Sequence, residues 1–200
     1  MKILYLDTET SNVDMNDKTA LLEISGIVEI DGEIKEKFTS RIKPFKQDTK
    51  EFSPFAIECH HITYEESLKS PEPSKVFDSF TAMLNKYVDY YNKTDKFILA
   101  GYNVKFDEEM LRHFFKKNSK TEEDAKYGNG FNSYFWTPSF CIMQYVFSCV
   151  LEQRSRFVNF KLGTVCNKLG VPFDDTQGHG SAYDIEKARE LYLKVKGSNE

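Results

Sequence analysis

No stretch of this chain approaches the ~18 consecutive apolar residues of a membrane span. The apolar run near the start, in MKILYLDTET, stops at Asp7 after four residues, too short for the apolar region of a secretory leader. The chain is therefore expected to be cytoplasmic, with no membrane partner. Cysteine is scarce: Cys59, Cys141, Cys149 and Cys166 show no C-x-x-C spacing and no sign of secretion, so reduced, mostly buried thiols are expected. Positive charge is not in excess either, with 27 Lys and Arg against 31 Asp and Glu and a net charge of −4. That excludes a protein that coats nucleic acid electrostatically. It does not exclude an enzyme that grips only a strand end, because carboxylates that hold divalent cations add negative formal charge of their own. Internal repeats and low-complexity linkers are absent, and 200 residues suit a single domain spanning 1–200.

What is present reads as strands first and helices later. Residues 2–6, KILYL, are rich in β-formers. Residues 22–30 and 33–42 flank Asp31-Gly32, a strong two-residue hairpin signal. Residues 43–74, punctuated by four prolines, read as irregular. A helix is predicted at 74–91, with Val76, Phe77, Phe80, Leu84, Tyr87, Val88 and Tyr91 on its apolar face. A short buried strand follows at 97–101, then a helix at 105–117, a polar surface loop at 118–130, and helices near 139–152, 161–169 and 181–196. This order suggests a mixed sheet with helices on its faces. In the aromatic-rich stretch Tyr127, Phe131, Tyr134, Phe135, Trp136 and Phe140, most rings are expected in the core rather than on bases.

Three short segments carry candidate chemistry. Asp7-Thr8-Glu9 ends the first strand, where i and i+2 side chains share a face, so two carboxylates stand side by side in line with Ile3 and Tyr5. Asp107, in GYNVKFDEEML, falls in the first turn of a helix, where acids also complement the helix dipole. In HGSAYDIEKA, His179 and Asp184 are five residues apart, so both reach one site only if His179 precedes the helix. Ser181-x-x-Asp184 also resembles a capping box. Each segment alone has an ordinary structural explanation.

Taken in order, DTET, GYNVKFD and HGSAYD resemble the three motifs of the DEDDh (DnaQ-like) 3′→5′ exonucleases. FSPFAIECHHIT resembles that family's segment ending in H-G-I-T, with His61 in place of the glycine, and FKLGTVCNKLGVPF resembles its helix before the third motif. The likeness spans about residues 2 to 193. It implies an RNase H-like α/β fold, a mixed sheet flanked by helices. It implies metal-binding carboxylates at Asp7, Glu9, Asp107 and Asp184, and a general base at His179. Thr8, Thr10, His60, Asn103 and Phe106 would lie near the terminal nucleotide. The family's tyrosine variant carries Tyr four residues before the last Asp; that position is Gly180 here, so the histidine class fits.

The residue types suit the chemistry so implied. Mg²⁺ and Mn²⁺ take oxygen ligands, and two such ions can activate a water and stabilise a leaving oxygen. Histidine titrates near neutral pH, suiting proton removal. The expected partner is a nucleic acid with a free 3′ end, single-stranded DNA favoured, released as 5′-mononucleotides. An exoribonuclease trimming RNA ends or short oligomers is the alternative. A silent nucleic-acid-binding module is disfavoured by the complete set of five residues. Only sixteen residues follow Asp184, and nothing indicates a polymerase partner.

Overall fold

The computed structural model describes residues 1–14, 16–177 and 180–197. Its centre is a five-stranded sheet in the order β3-β2-β1-β4-β5. The strands are β1 (Lys2–Thr10), β2 (Leu21–Ile30), β3 (Glu33–Arg41), β4 (Ile98–Gly101) and β5 (Phe140–Cys141). β1, β2 and β3 are antiparallel neighbours, whereas β4 and β5 run parallel to β1. The helices are α1 (Pro54–His60), α2 (Tyr64–Ser67), α3 (Pro73–Asn85), α4 (Lys105–Lys117), α5 (Glu122–Lys126), α6 (Phe131–Tyr134), α7 (Ile142–Cys149), α8 (Leu162–Lys168) and α9 (Ser181–Gly197). This is the RNase H-like mixed sheet flanked by helices.

The period-2 geometry of β1 sorts its side chains between two cores. Leu4 and Leu6 face a layer built by α3, α4 and α6, with Phe80, Leu84, Leu111 and Phe115. Ile3 and Tyr5 face a layer built by α7, α8 and α9, with Val146, Val165, Ile185 and Leu191. A strand covered on both sides reads as a continuous apolar run. The hairpin forms as expected, because Asp31 and Gly32 both adopt positive φ, 52° and 88°, the geometry of a type I′ turn. β3 closes the sheet as a largely exposed, charged edge.

Several predicted elements require correction. The stretch 43–74 contains α1 and α2. Pro54 sits at the first turn of α1, and Thr63 and Glu66 form a reciprocal capping box on α2. α3 ends at Asn85 rather than at 91, and Tyr91 is exposed. The loop at 118–130 holds α5 and a 3₁₀ turn. The helix predicted from 139 starts at Ile142, because Phe140 and Cys141 instead pair with Ala100 and Gly101. Of the aromatic stretch, Phe131, Tyr134 and Phe135 are buried, as expected, while Tyr127 and Trp136 are exposed. Cys166 is buried, but Cys59 and Cys141 are half-buried and Cys149 is exposed. Among the described residues no helix is long and apolar enough to cross a membrane.

Candidate active site

β1 and β4 run parallel, so their carboxyl ends open on the same edge of the sheet, the usual place for ligands in such folds. A Cβ on Gly101 would stand 2.6 Å from the Leu6 carbonyl oxygen, so only glycine lets the end of β4 lie this close to β1. Past it, Asn103 turns the chain in a left-handed conformation (φ 64°) into α4, whose first turn carries Asp107. Asp7 and Glu9 are on the neighbouring β1, on the face covered by α9. Asp184 is in the first turn of α9. Three elements thus deliver four carboxylates to one sheet edge.

These acids act on one another electrostatically. Burial, and then the charges of Asp107, Glu9, Asp184 and Glu23, hold the Asp7 carboxyl well above the usual carboxylate range. Burial, followed by Asp184, Glu23 and Asp107, pushes Glu9 up to about 9. Asp107 is raised by burial to about 7, opposed by the Thr8 hydroxyl and by backbone N–H groups. The Thr8 hydroxyl donates to Asp107 Oδ1 at 2.7 Å. Thr8 lies on the sheet face opposite Asp7 and Glu9, so the D-T-E triplet holds Asp107 from one side and contributes two acids from the other.

Among the described residues, no three histidine, cysteine or acidic side chains stand at ligating separation. The donor set, all carboxylate oxygen, is the one a hard divalent cation takes. The residues therefore fit an ion by chemistry and by their convergence on one edge, not by preformed separation.

A groove of about 670 Å³ opens beside the acids. Its lining includes Glu9 and all five residues anticipated near the nucleotide: Thr8, Thr10, His60, Asn103 and Phe106. His60 is held on both ring nitrogens. Nδ1 accepts from the Ile62 N–H at 3.0 Å, which leaves Nε2 to donate to the Thr10 carbonyl at 3.0 Å. Burial also lowers its pKa, so His60 is a neutral brace between α1 and the end of β1. His61 adopts φ 57° as the C-cap of α1, the left-handed conformation that favours glycine. It is exposed and does not line the groove. His179 lies outside the described residues.

One participant is absent from the sequence reading. Glu23, on β2, is the register partner of Glu9. It accepts the Ser181 hydroxyl at 2.7 Å and pairs with Arg41 at 3.5 Å. The Ser181 hydroxyl is also 2.7 Å from Ser25 Oγ. Ser181 thus ties α9 to β2, a different use from the capping box its spacing suggests. Further along the same face, Arg189 of α9 pairs with the buried Glu29 of β2 (Nε–Oε2 2.7 Å). The alternating polar positions of β2, at 23, 25 and 29, could have signalled a polar partner on the covering helix.

The sequence matches the model of a family described as exonuclease, of the RNase T type, over residues 4–192. A comparison with curated proteins finds no significant match. Among solved structures, the chain resembles E. coli exonuclease I in a zinc-bound complex with single-stranded DNA (TM-score 0.72, 16% identity, 100% of this chain and 41% of that one). It also resembles E. coli exonuclease I with a dT13 oligonucleotide (0.68, 17%, 96% and 40%) and exonuclease I from Methylocaldum szegediense (0.69, 16%, 100% and 41%). The chain spans about two fifths of the length of these proteins, and at such identity the likeness concerns the fold.

Proposed function

Since the chain belongs to the exonuclease family, we propose that it is a metal-dependent 3′→5′ exonuclease, with residues 1–200 forming one exonuclease domain. Its substrate is a nucleic-acid strand with a free 3′ end, single-stranded DNA favoured, and its products are 5′-mononucleotides. The observation that carries this reading is the convergence of Asp7, Glu9, Asp107 and Asp184 on one sheet edge beside a groove of nucleotide size.

In this reading the four carboxylates hold two divalent cations, Mg²⁺ or Mn²⁺. Bound there, such ions polarise the phosphate and lower the pKa of water. The chain's own residues do the rest. Thr8 fixes Asp107 through its hydroxyl, so one carboxylate is oriented before substrate arrives. His60 and Asn103 shape the groove without carrying charge, and Phe106 offers an apolar surface to the terminal nucleotide. His179 removes the proton from the attacking water. Oxygen then bonds to phosphorus, the bond to the 3′ oxygen of the penultimate nucleotide breaks, and that oxygen takes up a proton.

The test uses a single-stranded oligonucleotide labelled at its 5′ end, with 3′-hydroxyl and 3′-phosphate versions. A ladder that shortens from the 3′ end only in the hydroxyl version supports the reading, because a terminal phosphate brings a dianion toward Glu9. Cleavage of a closed circular strand at a comparable rate refutes it. The same assay with RNA decides between the DNA enzyme and the exoribonuclease.

A further inference from the structure

One wall of the groove is formed by residues that the reaction above leaves unused. Phe160, Lys161 and Leu162 form part of its lining, together with Met143. The Tyr102 hydroxyl donates to the Phe160 carbonyl at 2.7 Å, which fastens this wall to the groove floor. Beyond Phe160 the surface continues outward. Phe147 packs edge-to-face on Phe160, with ring centroids 5.5 Å apart, and the Arg154 guanidinium lies 5.7 Å from the Phe160 ring. Phe147 is partly exposed and Val158 almost fully so, at 91%.

Charge on this ledge runs against that of the molecule. Residues 151–161, LEQRSRFVNFK, hold three cations and one carboxylate in a chain of net charge −4. Among the described residues, Arg154, Arg156 and Lys161 form no ion pair. Arg154 donates to the Phe157 carbonyl and Arg156 to Gln153 Oε1, which hold the guanidinium groups without neutralising them. Cations without a carboxylate partner, beside the partly exposed rings of Phe147 and Phe160, fit the phosphates and bases of a single strand. The ledge is continuous with the groove that takes the strand end.

We propose that residues 151–161, supported by Phe147, form a second binding surface that carries the substrate strand away from the cleavage site. Arg154, Arg156 and Lys161 meet successive phosphates, and Phe160 stacks on a base. The inference rests on the nuclease reading above for its ligand.

The test compares the protein with the R154Q/R156Q double variant and with Phe160→Leu, which keeps apolar bulk and loses the aromatic face. Binding of a labelled single-stranded 12-mer is followed by fluorescence anisotropy in EDTA across salt concentrations. Kinetics with Mn²⁺ are measured on a dinucleotide and on the 12-mer. Each lost phosphate contact lowers the slope of log affinity against log salt by about 0.7, so the double variant should lose about 1.4. At 0.1 M salt that corresponds to roughly 20-fold weaker binding of the 12-mer. For R154Q/R156Q, which leaves the groove lining intact, the KM for the dinucleotide should change far less than that for the 12-mer. Phe160→Leu should weaken 12-mer binding at least about fivefold. In the double variant, an unchanged salt slope, or equal KM changes for both lengths, overturns the ledge while cleavage itself persists. If the wild-type protein binds the 12-mer with the expected slope but cleaves nothing, the nuclease reading fails and the ledge stands.

Discussion

Replacing Glu9 with glutamine should flatten the pH dependence of stability in chelator. Glu9 is pushed up to about 9 from an ordinary value of 4.5, first by burial and then by the neighbouring acids. Between these values the folded protein keeps a proton that the unfolded chain has released. The stabilisation is complete below the unfolded value and is lost as pH rises through about 9. One retained proton costs about 1.4 kcal/mol of stability per pH unit, or roughly 2.7 kcal/mol from pH 5 to 7. Glu9 is only half-buried, and solvent screening reduces this to about 1–2 kcal/mol. For a chain of this size each kcal/mol moves Tm by about 2–4 °C. Thermal unfolding in EDTA at pH 5, 6 and 7, wild type beside Glu9→Gln, reads the effect as a difference that cancels the titrating groups outside the acid cluster. Wild type should lose about 2–8 °C more than the variant over this range. Parallel curves for the two proteins would refute the reasoning, since they would mean that Glu9 holds no proton.

Excess EDTA, Asp7→Ala and Asp107→Ala should each abolish turnover while the fold persists, as circular dichroism will check, because removing an acid from this cluster relieves repulsion. Added Mg²⁺ or Mn²⁺ should raise Tm more at pH 8 than at pH 5, since deprotonated carboxylates bind the ion; an equal gain at both values counts against carboxylate ligands. His179→Ala should slow cleavage by roughly 10²–10⁴-fold with metal affinity nearly unchanged by calorimetry; a collapse of metal affinity would make His179 a ligand instead. Arg189→Met leaves the Glu29 carboxylate buried without its cation and should cost about 3–5 kcal/mol in urea unfolding. Adding Glu29→Gln to that variant should recover part of the loss.

Local order in the sequence determined much of this protein. The alternation in β1 put Asp7 and Glu9 on one face, the Asp31-Gly32 pair set the hairpin, and α4 formed over the predicted residues 105–117. Such features depend on neighbours within a few positions, and the chain displays those neighbours directly. The five residues anticipated near the nucleotide do line one groove. Other features depended on partners far along the chain. The two-residue strand β5 has no periodicity of its own and exists because β4 offers it an open edge. The pairing of Glu23 with Glu9, the tie from Ser181 to β2 and the Arg189–Glu29 pair join segments up to 160 residues apart. His60 carries the residue type of a substrate contact, and only the fold commits both its ring nitrogens to backbone groups. The acids themselves were legible one by one. The family resemblance grouped them, and the tertiary structure decided how they are gathered: parallel β1 and β4 bring their carboxyl ends together and α9 closes over them.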